Sequence, residues 1–168
     1  METTVVGLDG LVHRFIDFGH WSGLRARRRF SIIEGVDEMI RALHLRFPLA
    51  VVTTRGRRDA TAFLEAFDLT AMFKAVVSRE NTWRIKPHPS PIRHAAKILG
   101  VPVDRCLMVG DTTPDIKAAR AAGAQAWGVL CGFGERDELE KAGASVILER
   151  TPDLLDHSDV ISKGFPAA

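Results

Sequence analysis

The sequence predicts a three-layer α/β fold, in which a parallel, Rossmann-like sheet is covered by helices on both faces. Short runs rich in Val, Ile and Ala alternate with amphipathic stretches along the whole chain, and this order is typical of parallel sheets. The 168 residues, of which 46% are hydrophobic, can bury one substantial core. We therefore expect residues 1–168 to form a single domain.

The individual elements follow from local periodicity and from residues that begin or end helices. Ser90 followed by Pro91 predicts a helix N-cap and a first-turn proline, while Gly100, Gly123 and Gly143 stand where helix C-termini favour positive φ. The expected strands are 4–8, 49–53, 75–78, 106–109, 126–130 and 145–148. The expected helices are 36–46, 58–67, 91–99, 114–122, 136–142 and 152–157.

Residues 10–34 resist this pattern and predict an irregular, basic loop. Between His13 and Arg58 there are ten arginines against four acidic residues, although the net charge of the chain is only +2. Four of these arginines cluster in the loop, at Arg25, Arg27, Arg28 and Arg29. They could attract phosphate-bearing ligands, but a solvated surface is the more common role, and we expect no nucleic-acid partner.

Composition also bears on where the protein resides. No apolar run approaches the roughly 20 residues of a membrane-spanning helix, and the first residues lack the features of a secretory signal. Cys106 and Cys131 have no paired spacing that indicates a disulfide framework or a zinc site. We therefore expect a cytoplasmic protein with free thiols and no membrane partner.

The strongest motif is CLMVGDTTPDIKAARAAG at residues 106–123, where a buried strand leads into a helix. Asp111 and Asp115 follow the strand, and ligands of open parallel sheets bind at the carboxyl ends of strands. Mg²⁺ needs only one or two protein carboxylates beside phosphate oxygens and water, so the pair predicts a magnesium site. The alternative is that Asp111 caps the helix and Asp115 is a solvated first-turn acid.

Three motifs in order resemble those of the haloacid dehalogenase (HAD) phosphatases, especially the phosphoglycolate phosphatase-like branch. GDTTPDIKAARAAGA resembles the fourth motif, LAVVTTR at residues 49–55 the second, and RIKPHP at residues 84–89 the third. The resemblance extends through GVLCGFGERDELEKAGASVIL and the TPDLL that follows. It implies a HAD-like core, Mg²⁺ and hydrolysis of phosphate monoesters.

The resemblance also implies roles for individual residues. The Thr53 hydroxyl would bind the transferring phosphoryl group, and Lys86 would neutralise it and hold the acidic residues together. Thr54 and Arg55 would be further substrate contacts. Taken singly, Thr53 could be only a strand-end residue and Lys86 only a surface lysine. The Gly132-Phe133-Gly134 turn is expected to be a flexible loop near the site.

The first motif departs from the family pattern. A HAD phosphatase carries D-x-D-G-T, whose first aspartate attacks phosphorus and whose second acts as acid and base, whereas this chain has VVGLDGLV. In one register, which we prefer, Asp9 is the acid/base and Gly7 stands where the nucleophile belongs. In the other register, Asp9 is the nucleophile and Leu11 takes the acid/base position. In both, one carboxylate is missing, while Asp9 is a predicted ligand of Mg²⁺.

The helical cap of this branch is absent as well, because residues 10–34 leave room only for a loop. An open site would enclose a small substrate poorly, which favours a larger phosphorylated substrate, a partner such as a second copy of the chain that completes the site, or no turnover. The other candidate substrate is a phosphorylated small molecule. Two main functions stay open. One is a Mg²⁺-dependent phosphohydrolase with an impaired first motif, and the other is an inactive phosphate-binding or regulatory domain. A third function, nucleic-acid binding through the arginine-rich segment, rests on charge alone and is not the one we expect.

Overall fold

A computed structural model describes the backbone of residues 3–6 and the whole of residues 30–163. The predictions for Gly7, Asp9 and Leu11, and for the loop up to residue 29, lie outside the described residues. The strands are β1 (Thr3–Val6), β2 (Leu49–Val52), β3 (Phe73–Val77), β4 (Cys106–Gly110), β5 (Gln125–Val129) and β6 (Val146–Leu148). The α-helices are α1 (Val36–His44), α2 (Arg57–Ala66), α3 (Ser90–Leu99), α4 (Thr113–Ala122), α5 (Arg136–Ala142) and α6 (Ser158–Lys163).

The six strands form one parallel sheet in the order β3-β2-β1-β4-β5-β6. The predicted fold class is therefore confirmed. The chain order reverses at β1, which lies between β2 and β4, and Val6 at its end pairs with Val51 on one side and Val109 on the other. In open α/β sheets a crevice for ligands forms outside the strand ends at such a reversal. The carboxyl ends of β1, β2 and β4 are thus the expected place for a site.

Two hydrophobic cores hold the sheet between its helix layers. Successive strand residues point to opposite faces, so Leu107 and Val109 of β4 pack with α1 and α2, whereas Cys106 and Met108 pack with α3 and α4. All five residues of β4 are buried, as expected for a central parallel strand. Because β4 is packed on both faces, the position of the residues that follow it at the end of the sheet is fixed.

Helix ends confirm three predictions and correct one. Gly100, Gly123 and Gly143 end their helices with φ of 77°, 89° and 102°, which is the left-handed region that glycine tolerates best. Ser90, however, is the first residue of α3 rather than its N-cap, a position that Pro89 takes. The hydroxyl and the amide of Ser90 both contact Nδ1 of His88, at 2.8 and 3.2 Å, so this short turn replaces the predicted cap.

The last helical segment also differs from its prediction. Residues 152–157 were expected to be α-helical, but Thr151–His157 form a 3₁₀-helix, and α6 follows it directly. The buried residues Thr151 and Leu154 lie three positions apart, which matches the three residues per turn of a 3₁₀-helix. Within the described part of the chain, every helix is too short or too polar to span a bilayer.

Candidate active site

The predicted site residues follow two strands that flank β1. Thr53 comes directly after β2, and Asp111 comes directly after β4. Thr53 is 4% exposed. Its amide donates to the carbonyl of Val77 at 2.9 Å, and its Oγ1 accepts a hydrogen bond from the amide of Arg55 at 3.1 Å. These contacts hold the Thr53 hydroxyl at the end of the sheet and turn the chain there.

Lys86 crosses the end of the sheet and forms a buried ion pair. Its Nζ lies 2.5 Å from Oδ1 of Asp115 and 3.0 Å from the carbonyl oxygen of Val52, the last residue of β2. The side chains of Lys86 and Asp115 are 2% and 0% exposed. The alternative that Lys86 is a surface lysine is therefore wrong. The ammonium group instead links the end of β2 to the first turn of α4.

Asp115 is oriented by the residues before it. Its Oδ2 accepts hydrogen bonds from the hydroxyl of Thr112 at 2.7 Å and from the Thr112 amide at 3.2 Å. A side chain at Gly110 would bring its Cβ within 2.4 Å of the Asp115 Cβ, so glycine is required there for the carboxylate to reach Lys86. Two alternatives are corrected by this geometry. Thr112, not Asp111, is the N-cap of α4, and Asp115 is buried rather than solvated.

Asp111 is fully buried beneath the Gly132-Phe133-Gly134 turn. Its Oδ2 accepts a hydrogen bond from the amide of Phe133 at 3.0 Å, and its carbonyl accepts one from the amide of Gly134 at 2.8 Å. A Cβ at Gly132 would lie 1.9 Å from Oδ2 of Asp111. The sequence predicted this turn near the site but not its contact with Asp111. The signal that could have indicated it is the pair of glycines on either side of Phe133, shortly after the strand that ends at Val129.

A cavity of about 550 Å³ opens beside these groups. Its lining contains hydroxyl groups, cationic groups and apolar surfaces, from Thr54, Arg55, Lys86, Thr112, Pro114 and Phe133. Three predicted site residues, Thr54, Arg55 and Lys86, are thereby brought together around one space. Hydroxyl and cationic donors of this kind suit an anionic ligand.

The segment that carries Arg55 is fastened to the loop after β3. Oε2 of Glu80 accepts a hydrogen bond from the amide of Arg57 at 2.9 Å, and the amide of Arg79 donates to the carbonyl of Arg55 at 3.3 Å. A hydrogen bond from Ser78, followed by that from the Arg57 amide, lowers the pKa of Glu80 although the side chain is exposed. Glu80 is therefore ionised at neutral pH and holds the start of α2.

The donor set of the described residues is compatible with one Mg²⁺. Among residues 3–6 and 30–163, no three side chains of His, Cys, Asp or Glu form a metal cluster. Both oxygens of Asp115 already accept hydrogen bonds, Oδ1 from Lys86 and Oδ2 from Thr112. Asp111 offers a second buried carboxylate directly after β4, and one or two carboxylates suffice for Mg²⁺ when phosphate and water complete its shell.

Comparison with known proteins places this geometry in a family. The family model for haloacid dehalogenase-like hydrolases matches residues 16–129. The pyrophosphatase PpaX of Halalkalibacterium halodurans is 34% identical over 124 residues, which are 73% of this chain and 58% of that protein. The phosphoglycolate phosphatase of Escherichia coli is 30% identical over 139 residues, which are 82% of this chain and 55% of that protein.

Solved structures agree with the sequence relatives. A hydrolase from Pseudomonas syringae superposes with a TM-score of 0.72 and 34% identity, over 79% of this chain and 61% of that one. A HAD family hydrolase from Deinococcus radiodurans, 20% identical, shares the fold with a TM-score of 0.77 over the full length of this chain and 99% of its own. The chain spans about half the length of the curated relatives that it matches. On these matches and the motif geometry, the chain belongs to the haloacid dehalogenase-like hydrolase family.

Proposed function

We propose that this chain is a Mg²⁺-dependent phosphohydrolase that acts on phosphate monoesters. The observation that carries the proposal is the buried Lys86 ammonium group, which joins the end of β2 to Asp115 and also lines the cavity. A buried lysine paired in this way is a preorganised cation at the place where a phosphoryl group would sit. Phosphoryl transfer is catalysed mainly by positioning and by charge stabilisation.

The residues around Lys86 would bind the phosphoryl group and orient the lysine. Thr53, Thr54 and Arg55 follow β2 and would bind phosphoryl oxygens. Thr53 would donate its hydroxyl, Thr54 its hydroxyl or its amide, and Arg55 its guanidinium group. Asp115 would act mainly by orienting Lys86, because both of its oxygens already accept hydrogen bonds. Its predicted role as a metal ligand would then be exerted through water.

Asp111 and Asp9 would hold the metal. Asp9 follows the last residue of β1 by three positions, and the carboxyl end of β1 lies between those of β2 and β4. When bound, Mg²⁺ supplies positive charge that stabilises the phosphoryl oxygens. The Phe133 amide and Gly132 contact the Asp111 carboxylate, and the Gly134 amide donates to the Asp111 carbonyl, so these contacts would keep the carboxylate oriented for the metal.

The role of Asp9 in the reaction has two versions. In the preferred register Asp9 is the acid/base, and Gly7 leaves the chain without a carboxylate nucleophile. In the other, Asp9 is the nucleophile and Leu11 leaves it without an acid/base. Without a carboxylate nucleophile, water would have to attack phosphorus directly with Asp9 taking its proton, and the reaction would lose the advantage of two easier steps through a covalent intermediate. Without an acid/base, the reaction would lose a contribution of roughly 10²- to 10⁴-fold. We therefore expect slow turnover in either version.

A second candidate function is a phosphate-binding domain without turnover, and Gly7 is the observation that favours it. Glycine offers no attacking group, while the binding residues Thr53, Arg55 and Lys86 are all present. Such a domain would keep phosphate affinity and lose chemistry. It could serve as a regulatory or interaction module.

Turnover and binding measured on the same variants distinguish these functions. We expect the wild-type chain to release phosphate from a panel of phosphate esters in Mg²⁺, and Asp9→Asn to abolish release. Asp104→Asn is the matched control, because Asp104 is exposed and precedes β4, at the opposite end of the strand from Asp111. No release across the panel, with calorimetric binding of inorganic phosphate retained, would support the binding domain instead.

Gly7→Asp tests which register holds. If Gly7 occupies the nucleophile position, this substitution restores the missing carboxylate, and we expect phosphate release to rise by an order of magnitude or more. If Asp9 is the nucleophile, Gly7→Asp has no such effect, and Leu11→Asp is expected to raise turnover instead. A chain in which neither substitution raises turnover would contradict both versions.

A further inference from the structure

The ring of Phe133 stands at the rim of the cavity in an unusual setting. Phe133 is 73% exposed, yet it belongs to the turn that encloses the buried Asp111 carboxylate. Its amide donates to Asp111 at 3.0 Å, and the glycines on either side pack against the same residue too closely to accept a Cβ. The backbone beneath this exposed ring is therefore fixed to the site by several contacts.

The other rim residues complement an aromatic group. Phe133 and Pro114 present apolar surfaces, and Arg55 presents a planar guanidinium group, around the same cavity whose inner end carries Lys86. Aromatic rings pack favourably on other rings, and the guanidinium group stacks on aromatic faces. A leaving group held by these residues would therefore contact flat apolar surfaces and one stacking cation.

Small polar leaving groups would contact fewer of these rim residues favourably. A carboxylate, such as that of glycolate, or a second phosphate could pair with Arg55, but neither would contact the Phe133 ring or Pro114 favourably. Burying part of an exposed Phe ring is favourable in proportion to the apolar surface that is removed from water. Only an apolar leaving group gains this contribution.

We propose that Phe133 is a specificity-determining residue that contacts the leaving group, and that the preferred substrates are phosphate monoesters whose leaving group carries an aromatic ring. The inference rests on the proposed phosphate site, because the ring can select a leaving group only if the phosphate is bound beside Lys86. It adds a substrate class to that function.

Phosphonates test the inference independently of turnover, because their P–C bond is not an ester. The experiment measures calorimetric affinities of benzylphosphonate, cyclohexylmethylphosphonate and methylphosphonate for the whole chain in Mg²⁺. Benzyl and cyclohexylmethyl groups have the same number of carbon atoms, and the saturated ring is the more hydrophobic of the two. A preference for benzyl therefore reports aromatic packing rather than general hydrophobic contact.

We expect the wild-type chain to bind benzylphosphonate about 2- to 10-fold more tightly than cyclohexylmethylphosphonate, the range that aromatic packing produces. Phe133→Ala should reduce this ratio to about one, and Phe133→Tyr should retain it. Leu45→Ala serves as the control, because Leu45 is 84% exposed and lines a different cavity. It should leave the ratio unchanged.

The outcomes separate the inference from the function on which it rests. If methylphosphonate binds but the two larger phosphonates bind equally, or if the benzyl preference survives in Phe133→Ala, the role of Phe133 is refuted while the phosphate site stands. If no phosphonate and no inorganic phosphate binds, the proposed phosphate site fails, and the inference fails with it.

Discussion

The buried pair of Lys86 and Asp115 gives the sharpest quantitative prediction. Lys86→Met keeps the length of the side chain but removes its charge, and leaves the Asp115 carboxylate, which is 0% exposed, without its cation. Removing one partner of a buried ion pair destabilises a protein by about 3–5 kcal/mol, because the remaining charge stays desolvated. For a domain of this size each kcal/mol lowers Tm by about 2–4 °C, so we expect a loss of about 6–20 °C.

A double-mutant cycle isolates the pair from other effects of each substitution. Asp115→Asn keeps the shape of the side chain and an oxygen that can accept from Thr112. In the double variant Lys86→Met/Asp115→Asn neither charge remains, so its cost should be smaller than the sum of the single costs by about 2–3 kcal/mol. Urea denaturation followed by circular dichroism, without Mg²⁺ or phosphate, measures all four unfolding free energies.

Matched exposed residues provide the controls. Lys97→Met and Asp104→Asn remove the same charges from exposed positions and should change the unfolding free energy by no more than about 0.5 kcal/mol. The reasoning is refuted if Lys86→Met costs no more than Lys97→Met. A coupling energy below about 0.5 kcal/mol would refute it as well, because Lys86 and Asp115 would then contribute little to each other's stabilisation despite their direct contact.

Three further predictions concern the rest of the site and the core. Gly132→Ala places a Cβ 1.9 Å from Asp111 Oδ2 and should cost about 1–3 kcal/mol by overpacking, measured by urea denaturation; an unchanged midpoint would contradict this contact. Mg²⁺ with inorganic phosphate should raise the Tm of the wild type by mass action but not that of Asp111→Asn, and equal rises in thermal melts would exclude Asp111 as a ligand. Burial, and secondarily the charge of Asp104, raises the pKa of Cys106 from 9.0 to about 11. The wild type should therefore lose stability relative to Cys106→Ala between pH 9 and 11, where only the unfolded thiol ionises, by at most about 3 kcal/mol; parallel urea midpoints across that range would contradict the shift.

Much of the fold could be predicted because local signals and the global pattern agree. The buried run at β4 and the glycines at 100, 123 and 143 each identify an element or its end, and all were located to within about one residue. The Ser90 turn and the final 3₁₀-helix could not be predicted, because they depend on contacts with His88 and on the burial of Thr151 and Leu154. Such contacts form only when the chain is folded.

The site was predictable as a set of residues but not as a set of contacts. The motifs identified Thr53, Lys86 and Asp111 from their places after strands and in loops. The sequence could not show that Asp115 is held by Thr112 and Lys86, since an aspartate in a first helical turn is most often solvated. Nor could it show that the turn around Phe133 encloses Asp111, because residues 111 and 133 are far apart in the sequence and come together when β4 pairs with β5 in the folded chain.

In the proposed function, Thr53, Lys86 and Asp111 surround one phosphate-binding position at the carboxyl end of the sheet. A crystal structure of the chain with Mg²⁺ and inorganic phosphate is the decisive experiment. We predict phosphate oxygens within hydrogen-bonding distance of Lys86 Nζ and Thr53 Oγ1, with Mg²⁺ bound to Asp111. Phosphate bound elsewhere, with none of these three side chains in contact, would contradict the account.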